Sequence, residues 1–368
     1  MLPSELDLSG YVLLPAPAEP HAHLDKALTA ERVKVQAGDL GAAIEAWHEH
    51  RRTLEVGDIA ERAERAAIVS LRRGVTAIRT HVDVGEGIEL RAADALIAVR
   101  ERLRGLIDVQ VVALSYPLAG VAGAENRALL RAALELGVDL VGGAPHIDPE
   151  PVAHMEVCLD LAAEFGRPVD LHMDEHTHSS VDLADLARMV ADGFPQAVTA
   201  SHCSSLGMQP PEVQDRVAGE VARAGISVVS CPGTNLHLQA RAERTAKPRG
   251  ITALQALLDA GVTVAGGGDN VQDFFHPLGC GDPLQTAGLL VLAGQLDITT
   301  AYRLVSDGAR AAMGLPAADP PDQLAVRAHS LQEALATTTE DRIVLRAGQL
   351  VERTRVAHDD SSRGPAGA

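Results

Sequence analysis

Short apolar or β-branched runs that end in polar or glycine-bearing junctions recur along the chain, and stretches with apolar residues at three- and four-residue spacing separate them. Eight runs read as strands: 16–19, 76–82 (TAIRTHV), 109–114 (VQVVAL), 140–145 (LVGGAP), 169–173 (VDLHM), 197–202 (AVTASH), 226–231 (ISVVSC) and 262–267 (VTVAGG). The intervening ALIAVRERLRGL and PEVQDRVAGEVARAG have the period of amphipathic helices. Eight strands alternating with helices predict an α/β fold, a (β/α)8 TIM-type barrel, whose chemistry gathers at the C-terminal ends of its strands. A doubly wound open sheet would carry a glycine-rich phosphate turn after its first strand, and neither GGAPH nor GGGDN matches GxGxxG.

The two ends differ from the middle. After residue 316 the composition turns to Pro, Ala, Asp and Arg, and RIVLRAGQLVERTRV (342–356) is broken by a glycine that suits a hairpin turn. LDLSGYVLLP reads as a strand leading into the barrel, and 342–356 is its expected partner in one small β appendage formed by the N- and C-terminal segments. The expected division is 16–315 for the barrel and 1–15 plus 316–357 for the appendage. The polar, Gly/Pro-bearing 358–368 reads as a disordered tail.

Composition narrows the function. Aromatic residues are only 2%, so aliphatic side chains must build the core. Lys and Arg number 32 against 50 Asp and Glu, a net charge of −18, and so acidic a surface repels phosphate backbones and anionic lipid. Neither nucleic acid nor membrane is an expected partner; a small heterocyclic molecule is. Cys158, Cys203, Cys231 and Cys280 are far apart with no CxxC pair, which argues against a zinc finger or a disulfide framework and for a reducing, cytoplasmic setting.

Candidate chemistry sits at the strand ends. His21 and His23 are two apart at the end of the first strand, so in extended chain both rings project to one side, either as a chelating pair or as exposed loop residues. His172, His202 and Asp269 end the fifth, sixth and eighth strands, where barrel ligands converge. Neutral imidazoles with one carboxylate suit zinc or ferrous iron and leave a position for water, whose pKa the cation lowers toward neutrality. Glu175, three residues past His172, is placed to shuttle a proton to and from that water, or else to serve as an acid at a helix start.

EPHAHLDK, RTHVDV, LHMDE, SHCSSLG, CPGTNLHLQAR and GGGDNVQDFFHPLG, in this order, resemble the cytosine-deaminase branch of the amidohydrolase superfamily over roughly residues 10–350. That superfamily consists of metal-dependent (β/α)8 barrels that hydrolyse C–N bonds, and oligomers are common among its members. The resemblance implies His21, His23, His172 and Asp269 as metal ligands and Glu175 as proton shuttle. It gives His202 the task of orienting the hydroxide, although in related branches the equivalent histidine binds metal. Asn235, Leu238 and Arg241 match a loop that the family shares after strand seven, for substrate or for structure.

Departures from the pattern bear on substrate. Cytosine deaminases have a P-Q-x-G turn after strand three whose glutamine pairs with the pyrimidine; this chain reads PLAG, with Leu118 in that place. Their second aspartate after strand eight is Asn270 here. Lys26 follows HAHLD, either as a cation beside the metal that favours a carboxylate, hydroxyl or carbonyl substituent, or facing solvent. LVGGAP has no lysine to bridge two metals, so one ion is expected, zinc ahead of iron or manganese. His81 and His146 also end strands, for substrate contact or as part of a hydrogen-bonded polar layer; His176 and His178 lie on the loop beside Glu175, for recognition or facing water. The expected activity is deamination of a small nitrogen heterocycle other than cytosine. Its alternatives are hydrolysis of a cyclic amide or an N-alkylamino substituent by the same site, and a catalytically dead binding protein on this fold.

Overall fold

The computed structural model describes residues 6–32, 39–316 and 320–354. Its strands are β1 (Val12–Pro15), β2 (Ala18–Ala22), β3 (Ala77–Asp83), β4 (Asp108–Ser115), β5 (Leu140–Gly143), β6 (Val169–Met173), β7 (Val198–His202), β8 (Ser227–Ser230), β9 (Val264–Gly266), β10 (Gln323–Val326), β11 (Arg342–Arg346) and β12 (Gln349–Arg353). Strands β2 to β9 pair in parallel in chain order and form the (β/α)8 barrel. They read as apolar runs because helices cover one face and the barrel interior the other. The helices Arg91–Arg102 and Pro211–Ala224 occupy the two stretches whose period announced them.

The ring closes at one point. Ala22 bridges Asp269 in parallel, and the Asp269 N–H donates to the His21 carbonyl at 2.9 Å. The Glu19 carboxylate laces the same seam by accepting the N–H groups of Gly268 (2.9 Å) and His21 (3.1 Å). The glycines of GGGDN let the two chains meet: a Cβ on Gly267 would lie 3.0 Å from the His21 Cβ, and one on Gly268 2.8 Å from Glu19 Oε2. GGGDN is therefore a close-approach motif, with no phosphate to cradle.

The core is aliphatic, and Trp47 is fully buried within it. The barrel interior also carries a polar layer. Arg79 donates to Asp170 (2.8 Å), Thr199 (3.0 Å) and Gln110 (2.9 Å), and Ser201 donates to Asp170 (2.9 Å). A buried ion pair of this kind persists because its remaining donors and acceptors are also satisfied.

The N-terminal strand and the C-terminal segment do share a sheet, in the order β1-β10-β11-β12, all antiparallel. The direct partner of β1 is nevertheless Gln323–Val326, and 342–353 pairs one strand further out. Gln323–Val326 is only four residues long, too short for a periodic signal, and this strand slots between the two expected partners. The hairpin turn falls at Ala347 and Gly348, both with positive φ (47° and 74°), as a two-residue primed turn requires. Arg342 is buried and grips Asp282 with two hydrogen bonds of 2.7 and 2.8 Å, which fastens the sheet to the barrel. The expected tail at 358–368 lies outside the described residues. Among the described residues no helix is long and apolar enough to cross a membrane, and Cys158, Cys203, Cys231 and Cys280 are free thiols.

The seam analysis yields a paired prediction. Gly267→Ala should cost about 1–3 kcal/mol, the usual range for overpacking, because the His21 backbone cannot withdraw. Gly288→Ala, in the interior of the helix Pro283–Leu292 with nothing within 4 Å of the new Cβ, should stabilise by up to about 1 kcal/mol. Urea denaturation of both variants checks the signs; equal effects would disprove the close-approach reading.

Candidate active site

Each chemical side chain stands at the C-terminal mouth of the barrel for a local reason. Proline is tolerated within Ala18–Ala22 because the pairing with β3 slips there: Glu19 faces Ile78 and Ala22 faces Thr80, so Pro20 and His21 lie in the irregularity and His23 lies beyond the strand. His202 (φ 70°), the last residue of β7, and Asp269 (φ 65°), just past β9, adopt left-handed backbone, a conformation that costs energy for non-glycine residues and concentrates at functional sites. The turn redirects both side chains across the mouth.

Four of the expected ligands converge. His172 Nε2 lies 3.2 Å from His21 Nε2 and 3.1 Å from His23 Nε2, and Asp269 Oδ1 lies 3.8 and 3.4 Å from those same two nitrogens. Donors about 2.0–2.2 Å from one tetrahedral ion would be about 3.3–3.6 Å apart, and these four separations bracket that range. The protein leaves few other partners: both Asp269 oxygens and His172 Nδ1 are buried without a hydrogen bond. Burial, with Asp273 next, pushes the Asp269 carboxyl up to about 8, and burial holds all three imidazoles well below their usual value. Neutral imidazoles are the form that coordinates, and a cation is what would keep this carboxylate ionised.

Two further groupings overlap this one, each with ligand atoms within 4.8 Å: His21, His81 and His172, and His21, His202, Cys231 and Asp269. His81 is fully buried against the His21 ring (4.1 Å between centroids), with Nε2 3.6 Å from Asp170, so it belongs to the polar layer behind the ligands and does not line the cavity. Cys231 was absent from the sequence-based candidates because a lone cysteine before a proline carries no spacing signal.

The cavity above the ligands holds about 460 Å³ out to its open mouth. On one wall stands Glu175, whose carboxyl burial and then Asp269 push well above its ordinary value. Asn235 Nδ2 is 3.3 Å from Glu175 Oε1 and 3.2 Å from His202 Nδ1, and Gln239 donates to the Glu175 carbonyl at 2.9 Å. His146 lines the same side and donates Nδ1–H to the His172 carbonyl at 3.0 Å. Asn270 lines the cavity too, with its amide oriented by Thr234 (3.1 Å) and Asp273 (2.8 Å).

The opposite wall comes largely from the helix Leu40–Arg51. Leu40, Ile44 and Trp47 stand at i, i+4 and i+7 and all face the cavity. That stripe was legible in LGAAIEAW but says nothing of what it covers. Asp83 ties the helix down by accepting from Trp47 Nε1 (2.6 Å), Arg51 (2.8 Å) and Lys26 (2.9 Å). Burial opposes its charge, but Lys26 and Arg51 overcome that and hold its carboxyl below the usual range. Lys26 is 2% exposed, and its ammonium is directed at Asp83, Asp25 (3.3 Å) and His23 Nδ1 (3.2 Å). It is a buried cation beside the ligands rather than a solvent-facing one, and those three neighbours occupy its three donors.

Besides His81, three of the expected substrate contacts fall elsewhere. Leu118 is fully buried and does not line the cavity; its N–H donates to Asp148 (2.8 Å), and the same turn presents Tyr116 to the cavity instead. His176 is half-buried and His178 exposed on the loop after Glu175, and neither lines the cavity because the chain turns outward there.

Comparison with known proteins bears on the family and the fold. The Amidohydrolase family profile matches residues 58–318. A pterin deaminase of Rhizobium rhizogenes is 32% identical over 96% of this chain and 84% of its own length. An N-isopropylammelide isopropyl amidohydrolase of a Pseudomonas species is 26% identical over 96% and 89%. The crystal structure of a Klebsiella pneumoniae 5-methylcytosine deaminase liganded with 5-fluorocytosine superposes with a TM-score of 0.86 at 30% identity, covering 97% of this chain and 90% of that one.

Elemental analysis of purified variants tests the ligand set. His23→Ala, His172→Ala and Asp269→Ala should each lose most of about one equivalent of bound metal, whereas His176→Ala and His178→Ala should keep it. A full complement in His172→Ala would place the donors elsewhere.

Proposed function

The chain belongs to the amidohydrolase family, and from that premise we propose that it is a mononuclear metal-dependent deaminase of a small nitrogen heterocycle. One observation carries the reading. On the floor of a cavity whose wall holds a buried carboxyl group, the Nε2 atoms of His21 and His23 have His172 Nε2 at 3.1–3.2 Å and an Asp269 carboxylate oxygen at 3.4–3.8 Å. His21, His23, His172 and Asp269 would hold the ion; zinc is the first candidate, and the same donors accept iron and manganese. When bound, a divalent cation supplies Lewis acidity that makes water a usable nucleophile at neutral pH.

The protein's own groups do the rest. Glu175 moves the protons: burial favours its neutral form, so it can give a proton to a ring nitrogen, take one from the attacking water and pass one to the departing amine. His202 lies 3.5 Å from Glu175 Oε1 and helps to orient the reacting oxygen. Trp47 and Phe275 offer ring surfaces to a flat heterocycle, and both line the cavity. Asn270, held by Thr234 and Asp273, presents a fixed amide edge to the ring's polar atoms. Pterin heads the substrate classes, because the relative at 32% identity is a pterin deaminase.

A second reading, removal of an N-alkylamino substituent, is favoured by the aliphatic Leu40 and Ile44 on the wall and by likeness to an N-isopropylammelide hydrolase. Product analysis separates the two. Pterin, 5-methylcytosine, cytosine and N-isopropylammelide are incubated with the metal-loaded enzyme, and ammonia and isopropylamine are quantified. Ammonia release from pterin is the expected result, and isopropylamine from N-isopropylammelide alone would favour the second reading.

Two predictions accompany this assay. Cytosine should be turned over with kcat/KM below about 10⁴ M⁻¹s⁻¹, the lower end of the usual enzymatic range. The wall at the end of β4 offers Leu114 and Tyr116 and no side-chain amide for the pyrimidine edge, and unpaired groups cost about 1–3 kcal/mol each. Glu175→Gln should keep its metal and fold yet lose about 10²–10⁴-fold in kcat, the range of general acid–base catalysis; near-normal turnover would refute the shuttle role.

A further inference from the structure

The loop after β8 carries an element that the scheme above has not used. Asn235 is 1% exposed and lies in the helix Pro232–Leu238, which follows β8 almost directly. Its single amide nitrogen stands between two groups of the site, 3.3 Å from Glu175 Oε1 and 3.2 Å from His202 Nδ1. A primary amide has two N–H donors on that nitrogen, one for each neighbour. We propose that Asn235 is a positioning residue, whose amide aligns the Glu175 carboxyl and fixes the proton of His202 on Nε2.

The argument follows from donor and acceptor capacity. The amide nitrogen can only donate, so His202 Nδ1 must accept and carries the lone pair. In a neutral imidazole the other nitrogen then bears the proton. His202 Nε2 is buried and has no hydrogen-bond partner among the described residues. His202 therefore reaches the cavity floor with an N–H donor: it is suited to hold an oxygen atom, and unsuited in this tautomer to bind a cation through Nε2. The second amide proton holds Glu175 Oε1, which leaves Oε2 to carry the shuttled proton. Neighbouring contacts keep Asn235 in place. Thr234 joins the loop after β9 through Asn270, and Gln239 takes the Glu175 carbonyl. A purely structural asparagine would need neither of its two partners to be a catalytic group.

The part of the proposal that concerns Glu175 rests on the deaminase reading, whereas the tautomer of His202 does not. Asn235→Asp replaces the donor by an acceptor of the same shape and should draw the His202 proton to Nδ1. The probe is the zinc-loaded, full-length protein with ¹⁵N-labelled histidine, in which the His202 signals are identified by their loss in His202→Gln. Wild type should show the Nε2–H form and Asn235→Asp the Nδ1–H form. With pterin, or the panel compound turned over fastest, kcat should fall about 10²-fold while KM changes less than threefold and zinc content is retained. An Nδ1–H tautomer in wild type, an unchanged tautomer in the variant, or a kcat within threefold of wild type would overturn the proposal. Should Asn235→Asp fail to fold, Asn235→Ala and His202→Ala, singly and combined, give a double-mutant cycle. Effects on kcat should be less than additive, and full additivity would refute the coupling. If no panel compound is turned over, the deaminase reading fails, and the ¹⁵N signals still decide the His202 tautomer.

Discussion

The barrel closes through two of the proposed metal ligands, and much of the site depends on that closure. The Asp269 N–H meets the His21 carbonyl across the joint between the first and last barrel strands. Residues separated by about two-thirds of the chain thus present side chains to one point, with the backbone hydrogen bond setting their distance. Glu19 reinforces the joint from below, and Gly267 and Gly268 leave it room. A shift in the seam would displace Asp269 from the three imidazoles, so stability of the barrel and assembly of the ligand set are one property.

Burial at this mouth creates an electrostatic demand. Carboxyl groups at Glu19 and Asp269 are both pushed up to about 8, chiefly by desolvation, while the surrounding histidines are held neutral. An isolated carboxylate is costly in such a place, and a divalent ion removes the penalty for Asp269 directly. Glu175 has no such relief, and its neutral form is what a proton donor needs. With an ion bound, the floor would sustain an ionised Asp269 beside a neutral Glu175, because their partners would differ.

The far wall answers a different requirement. Asp83 gathers the indole of Trp47, the guanidinium of Arg51 and the ammonium of Lys26, and Lys26 in turn touches His23 Nδ1. The helix that shapes the substrate space is therefore pinned to the same loop that bears the ligands. Lys26 also lines the cavity, with its ammonium engaged by Asp83, Asp25 and His23.

The architecture was legible in the sequence, and so were the side chains that gather on the floor. Strand and helix periods are local properties, and the barrel's habit of bringing strand ends together made His21, His23, His172, His202, Asp269 and Glu175 recognisable as one group. The four-residue β10 escaped notice because so short a run has no measurable period, and the partner of β1 was displaced with it. Tertiary structure alone decided which strand-end residues face the cavity. Leu118 and His81 share that address with His146 and Asn270, yet the first two turn into the interior, because orientation depends on the φ/ψ of the turn and on neighbours distant in sequence. Trp47, Asp83 and Asn235 came to the site in the same way: each is placed by a hydrogen bond spanning more than 30 residues, and no local pattern of amino acids encodes such a bond.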